Sequence, residues 1–316
     1  MMKIHPLIVI LGPTASGKSA LAMKLAKHFD GEIVSADSRQ VYHGLDVGTG
    51  KVEGKWESGI RNKEFGKEKV FIYKHVPHYL IDFVNPKTQF SVDDFKKLAS
   101  HAIADILRRG KVPFLVGGTG FYIDAVARGI QYPEVPPNLK LRRRLANKSA
   151  EKLFKILKKL DPKRAQTIDR KNPRRLIRAI EIAKAHKKKL APQQPNFRAL
   201  FIGIQLTPEK LRQRIRLAVK KRLARGLIAE TKKLLQDGVS KRKLQTLGID
   251  YGVAVDFLDG AIQKDKLAQR LETANWHYAK RQITWFKRYK DIHWIKSDRE
   301  AKNLTLAFLR PKETKN

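Results

Sequence analysis

The chain has 316 residues, with 67 Lys and Arg against 30 Asp and Glu, a formal net charge of +37 and no cysteine. That length builds one large domain or two ordinary ones, and 42% apolar residues exclude disorder throughout. Without cysteine, disulfides, a thiolate nucleophile, iron–sulfur ligation and Cys-containing zinc sites are all excluded, while the charge points to a polyanionic partner.

Leu7-Ile8-Val9-Ile10-Leu11 reads as a buried strand by length and branching. It is too short to span a membrane and wrong for a signal peptide, so no membrane association and a cytoplasmic location are expected. A Gly-rich turn leads into a helix from about Gly17 to Phe29, and a second strand, Glu32 to Ala36, ends in Asp37-Ser38. Residues 51–74 carry seven Lys/Arg, four Glu and three Gly, and read as an exposed loop. Ser91-Val92-Asp93-Asp94 has the capping-box pattern, opening a helix that Gly110 closes. Val112 to Val116 is the next strand, followed by Gly117-Gly118-Thr119-Gly120.

From Asn138 to Leu190 there are 20 Lys/Arg and four acids, which supplies +16 of the net charge. Apolar residues recur there at three- and four-residue spacing, the signature of short amphipathic helices with basic outer faces. Prolines at Tyr132–Pro137 and Ala191–Pro195 mark both ends as hinges, so an inserted helical subdomain is expected at 128–198. Phe201 to Leu206 is a further strand, and Thr207-Pro208 opens a long helix. Along the last long helix, Leu267, Leu271, Ala274 and Tyr278 are expected to face inward, and Trp285 to pack in the core. Residues 296–316 read as a polar, basic tail.

Alternating strands and helices imply an α/β fold: a P-loop NTPase-like parallel sheet flanked by helices, interrupted by an all-helical basic insertion. The catalytic core then comprises residues 1–127 and 199–295. Ligands of such sheets bind beyond the carboxyl ends of the strands, where Gly12–Ser19, Asp37–Gln40 and Gly117–Gly120 should converge.

Gly12-Pro13-Thr14-Ala15-Ser16-Gly17-Lys18-Ser19 fits the P-loop pattern between a strand and a helix, as the motif requires. Its backbone N–H groups can surround a phosphate, Lys18 adds charge, and the Ser19 hydroxyl can ligate Mg²⁺. Asp37 lies at the next strand end, where a carboxylate can accept a proton, hold Mg²⁺ through water, or merely cap its own turn. Ser38 and Gln40 offer groups that can read a base edge. His75 and His78 lack an accompanying carboxylate cluster, so packing is expected rather than metal binding.

Several ordered motifs resemble the tRNA dimethylallyltransferases. They are the P-loop, Ser35 to Tyr42, Asp46-Val47-Gly48-Thr49, Val76 to Asp82, Gly117 to Tyr122, Pro173 to Ala179, and Ala279 to Phe286. The resemblance implies transfer of a dimethylallyl group from dimethylallyl diphosphate to N6 of adenosine 37 in tRNAs that read codons beginning with U. It implies Asp37 as the base, Thr14 against the leaving diphosphate, and a flipped-out target base. It also implies tRNA contacts at Asp37, Ser38, Arg39, Gln40, Thr119, Arg142, Arg174, Arg175, Leu176, Ile177, Arg178 and Arg281. A monomer using Mg²⁺, with tRNA and dimethylallyl diphosphate as partners, is the expectation. The chain has Ala218 where the family often has an Arg reaching the diphosphate, so Arg214 or Arg222, one turn to either side, is expected to substitute. Leu247-Gly248-Ile249-Asp250-Tyr251 also departs from the family's Gly-Tyr-Lys-Glu. Two other readings share the loop: a P-loop kinase or free-nucleotide isopentenyltransferase, which has no need of the basic insertion, and a non-catalytic RNA-binding NTPase.

Overall fold

The computed structural model describes residues 5–62, 67–133, 135–185 and 197–310. Two compact units divide the chain: Met1–Gly129 with Gln194–Asn316, and Ile130–Gln193. The proline hinge expected at Ala191–Pro195 lies outside the described residues, as does Glu134 of the other one.

The first unit contains strands β1 (His5–Leu11), β2 (Gly31–Ala36), β3 (Lys55–Asn62), β4 (Lys67–Tyr73), β5 (Val76–Tyr79), β6 (Val112–Gly117), β7 (Phe197–Ile204) and β8 (Ile292–Ile295). They form one sheet in the order β3-β4-β5-β2-β6-β1-β7-β8, and the six strands from β5 to β8 run parallel. Its helices lettered before the insertion are α1 (Lys18–His28), α2 (Val92–Arg108) and α3 (Gly120–Ala127). In the second unit are α4 (Leu139–Ala146), α5 (Ala150–Leu160), α6 (Pro162–Thr167) and α7 (Pro173–Lys184). The first unit then resumes with α8 (Pro208–Ala224), α9 (Leu227–Gln236), α10 (Lys241–Leu247), α11 (Ile249–Leu258), α12 (Lys264–Phe286) and α13 (Asp298–Leu309).

β1 is apolar on both faces because both are covered. Leu7, Val9 and Leu11 join Phe95, Ile103 and Phe286 on one side of the sheet, while Ile8 and Ile10 meet Leu21, Leu25 and Ala301 on the other. The period of two that separates these sets is the pleat itself. A third cluster gathers Val41, Leu45, Leu211, Ile215, Leu227, Tyr251 and Leu271. α2 starts in the expected capping box: Ser91 Oγ accepts from Asp94 N (3.2 Å) and Asp94 Oδ2 accepts from Ser91 N (2.9 Å).

Three expectations are corrected. Within 51–74, expected as an exposed loop, residues 55–62 and 67–73 are strands instead: β3 and β4 pair antiparallel, and β4 extends the sheet through β5. The apolar run Val70-Phe71-Ile72 is buried, which the surrounding charges concealed in the composition. Residues 298–309 of the expected tail are helix α13, with Ala301 and Thr305 buried. On α12 the inward stripe is Leu267, Leu271, Asn275, Ala279, Gln282 and Phe286, so two amides take places that periodicity of apolar residues could not reveal.

His78 is buried within β5, its Nδ1 2.9 Å from Val76 O, and burial lowers its imidazole to about 4. Among the described residues no cluster of His, Asp and Glu could hold a metal ion, and no helix is long and apolar enough to cross a membrane.

The second unit has its own core of Leu141, Leu145, Leu153, Leu157, Ala165, Leu176 and Ile180. Each of its four helices opens with a capping side chain, Asn138, Ser149, Asp161 or Asn172, that accepts an N–H of the first turn. Short helices need this help, because orphan N–H groups are a large fraction of their hydrogen bonding.

Candidate active site

The carboxyl ends of β1, β2 and β6 are neighbours in the sheet, so the segments that follow them share one end of it. After β1 the chain turns through Gly12 (φ 152°), Ala15 (φ 59°) and Gly17 (φ 96°) before α1 begins. Gly17 is needed twice over. Its φ is left-handed, and a Cβ there would come within 3.2 Å of Arg214 Nη1. Arg214 donates from that nitrogen to Ser16 O at 2.6 Å, which places a guanidinium on the loop.

Lys18 donates to Pro13 O at 2.7 Å. Burial lowers its ammonium to about 8, and the Asp37 carboxylate opposes the shift. A partly desolvated ammonium facing a carboxylate gains most from a phosphate, which supplies the charge that water no longer does. Ser16 Oγ is buried without a hydrogen-bond partner among the described residues, while Ser19 is exposed on the first turn of α1. The remaining loop residues, Pro13 and Ala15, shape the backbone rather than offering side-chain donors.

Beyond β2, Asp37 Oδ1 accepts from Arg39 N (2.9 Å) and more weakly from Gln40 N (3.4 Å). The residue therefore caps its own turn with one oxygen, leaving Oδ2 for other chemistry. Ser38 N donates to Thr119 Oγ1 at 3.0 Å, and that hydroxyl lies 3.3 Å from Ser38 Oγ, so the turns after β2 and β6 are tied together. Close approach of these strand ends requires Gly117, where a Cβ would fall 2.1 Å from Ala36 O. Gln40 Nε2 donates to Thr49 O at 3.2 Å. Tyr278, from α12, has its phenol pushed up to about 12, chiefly by burial and further by Asp37, with Arg39 and Arg281 opposing. Arg281 is exposed.

Three features carried no local signal. Gln282 Oε1 accepts from Thr14 N at 2.7 Å, and its Nε2 donates to Gly118 O at 2.9 Å. Glu230 accepts from the N–H groups of Asp46 (3.1 Å), Val47 (2.8 Å) and Gly48 (3.0 Å) and from Tyr251 Oη (2.5 Å). Asp124 is 2% exposed and accepts from Trp285 Nε1 (3.1 Å) and Tyr289 Oη (2.7 Å). Trp285 is accordingly half-buried against the core, with Phe121 and Arg288 on its ring.

Arg222 is a correction. It lies on α8 as Arg214 does, but its guanidinium forms a buried ion pair with Asp250 (2.5 Å) and bonds Asn275, so it is committed away from the loop. Asp250, read only as a departure from a motif, is what holds it.

In the second unit, Arg174 and Arg175 are exposed on the first turn of α7. Leu176 is 0% exposed and Ile177 packs against the same core, so Leu176 cannot touch RNA with its side chain. Arg142 holds the buried Glu181 in a fork (2.7 and 2.8 Å), joined by Asn138 N (3.0 Å) and Arg178 (3.3 Å). Arg142 and Arg178 are therefore ion-paired within the unit, and Arg174 and Arg175 are the members of this group without such a commitment to Glu181.

A P-loop at the carboxyl end of a largely parallel sheet, with a carboxylate turn beside it, defines a phosphate-handling α/β protein. The family model for IPP transferase matches residues 40–289, and that for isopentenyl transferase matches residues 5–61. The chain is 40% identical to tRNA dimethylallyltransferase 1 of Geotalea daltonii, covering 92% of this chain and 90% of the relative. It is 41% identical to tRNA dimethylallyltransferase 2 of Syntrophotalea carbinolica, covering 92% and 93%. The crystal structure of the tRNA isopentenylpyrophosphate transferase of Bacillus halodurans matches with a TM-score of 0.67 and 34% identity, over 96% of this chain and 97% of that one. The chain belongs to the IPP transferase family.

Proposed function

We propose that the chain transfers the dimethylallyl group of dimethylallyl diphosphate to N6 of adenosine 37 in tRNAs that read codons beginning with U. The observation that carries this reading is the placement of the P-loop and the tied Ser38–Thr119 turns after neighbouring strands at one end of the sheet, in a chain that shares its length with named tRNA dimethylallyltransferases. The family resemblance supplies the substrates. The reaction forms a bond between the adenine nitrogen and the first carbon of the donor, breaks that carbon's bond to the diphosphate oxygen, and releases one amine proton.

An exocyclic adenine amine is a weak nucleophile, so the leaving group must be stabilised and the proton removed. Lys18, the loop N–H groups and Arg214 receive the diphosphate charge, with Thr14 against the departing oxygen. Asp37 accepts the proton through Oδ2, while Oδ1 stays engaged by its turn. Ser19 is an exposed oxygen donor beside the loop, which suits a hard cation that keeps substrate phosphates and water among its ligands. Mg²⁺ held there would neutralise diphosphate charge. Arg39, Gln40, Ser38 and Thr119 border the acceptor, and Arg174, Arg175 and Arg281 contact RNA phosphates. The enzyme acts as a monomer in the cytoplasm, on these two substrates.

The test is transfer of radiolabelled dimethylallyl from its diphosphate to an anticodon stem-loop with adenosine at positions 36 to 38, with AMP as competing acceptor. Label on the stem-loop alone, lost in Asp37→Ala with RNA affinity retained, is expected. Label on AMP instead would move the chain to the free-nucleotide enzymes. ATP hydrolysis without any prenyl transfer would refute the reading.

A further inference from the structure

Gln282 sits on the buried face of α12, 6% exposed, and both ends of its amide are used. Oε1 takes the Thr14 N–H of the P-loop, and Nε2 gives its proton to Gly118 O. Gly118 precedes Thr119, whose hydroxyl receives Ser38 N, and Ser38 follows Asp37. A single side chain therefore bridges the loop assigned to the leaving group and the turns assigned to the acceptor.

The surroundings fix that amide. Gly118 has no left-handed φ to explain it, yet a Cβ there would lie 2.2 Å from Gln282 Nε2. Any side chain at this position would have to displace the glutamine amide. Three residues further along α12, Trp285 docks where Gly120 has no side chain, a Cβ there falling 2.1 Å from Nε1, and the indole is held by Asp124. Tyr289 bonds the same carboxylate, so the helix is registered against α3 just beyond Gln282. Glutamine alone among residues of this size offers an acceptor and a donor on one planar group; glutamate or methionine cannot do both.

We infer that Gln282 is a positioning residue that holds the donor loop and the acceptor turn in reacting register. The inference rests on the transfer reaction proposed above. It predicts a defect in the chemical step rather than in binding, because neither bond goes to a substrate and a small misplacement of reacting groups is costly.

The experiment uses the full chain and the variants Gln282→Met, Gly118→Ala and their combination, with melting temperatures to confirm folding. In Gln282→Met, kcat falls roughly 10- to 100-fold, while KM for donor and stem-loop changes by less than about threefold. Gly118→Ala forces the glutamine aside and produces a similar loss. The double variant is no worse than the poorer single one, since both remove the same bridge. Hydrogen exchange of the ¹⁵N-labelled Thr14 amide, read without substrate, accelerates at least about tenfold in each variant. Multiplying losses in the double variant, or a loss confined to KM, would overturn the positioning role. Unchanged Thr14 exchange would refute the bridge itself, whereas absence of transfer by the unaltered protein would refute the reaction and with it the role in catalysis.

Discussion

Lys18 is poised to take up a proton when a diphosphate binds. Burial holds its ammonium at about 8 in the free protein, with Asp37 opposing. An organic diphosphate adds negative charge at the loop and returns the group towards the usual lysine value near 10.4. From a value of 8, roughly a tenth of the protein lacks this proton at pH 7, about half at pH 8 and roughly nine-tenths at pH 9. Binding then takes up about half a proton at pH 8, and affinity weakens by roughly tenfold between pH 7 and pH 9. Titration calorimetry with isopentyl diphosphate, a saturated analogue that cannot transfer its chain, reads the uptake when repeated in buffers of different ionisation enthalpy. Lys18→Met must abolish it. No uptake at pH 8 in the unaltered protein, or the same uptake in Lys18→Met, would refute the reasoning. The sign for stability runs the other way from an ordinary ion pair. Because the folded value lies below 10.5, protonated Lys18 costs stability below pH 8, and that cost is relieved as pH rises towards 10.5, on the order of 3 kcal/mol for the ligand-free protein.

His78 gives an acid-side counterpart: folding keeps the ring neutral, with its value lowered from 6.5 to about 4, so its contribution is whole above pH 6.5 and lost as pH falls towards 4. Urea midpoints at pH 7 and pH 4.5 should differ less in His78→Phe than in the unaltered protein; an equal difference would show that other groups govern acid unfolding. Glu230→Ala strands three N–H groups and the Tyr251 hydroxyl, and should cost about 2–4 kcal/mol in urea unfolding, against about 1 kcal/mol for Tyr251→Phe. Equal small losses in both would mean that water replaces the carboxylate.

The central strands were legible because they are short apolar runs followed by glycine or polar turns, as in Leu7–Leu11 before Gly12 and Val112–Val116 before Gly117. The loop motif and the capping box were legible for the same reason: their partners lie within a few residues. The β3–β4 hairpin was not, because lysines and glutamates outnumber the apolar residues that pair with β5. Gln282 meets Thr14 across 268 residues, and Glu230 meets the Asp46–Gly48 turn across more than 180, distances at which no local pattern operates. Arg222 shows the complementary error. One turn from the expected position is near enough along a helix, but a buried carboxylate on another helix decides where a guanidinium points.

The hairpin has a further effect on the protein's behaviour in a crowded solution. β3 ends the sheet, and an end strand presents unpaired backbone groups that invite another chain to add itself. Lys55, Glu57 and Lys69 are exposed on this ribbon. A second strand docking there would have to strip water from these charges. The same residues that disguised the strand in the composition thus keep it from templating aggregation, and a variant with Lys55, Glu57 and Lys69 all made apolar would trade solubility for a stickier edge.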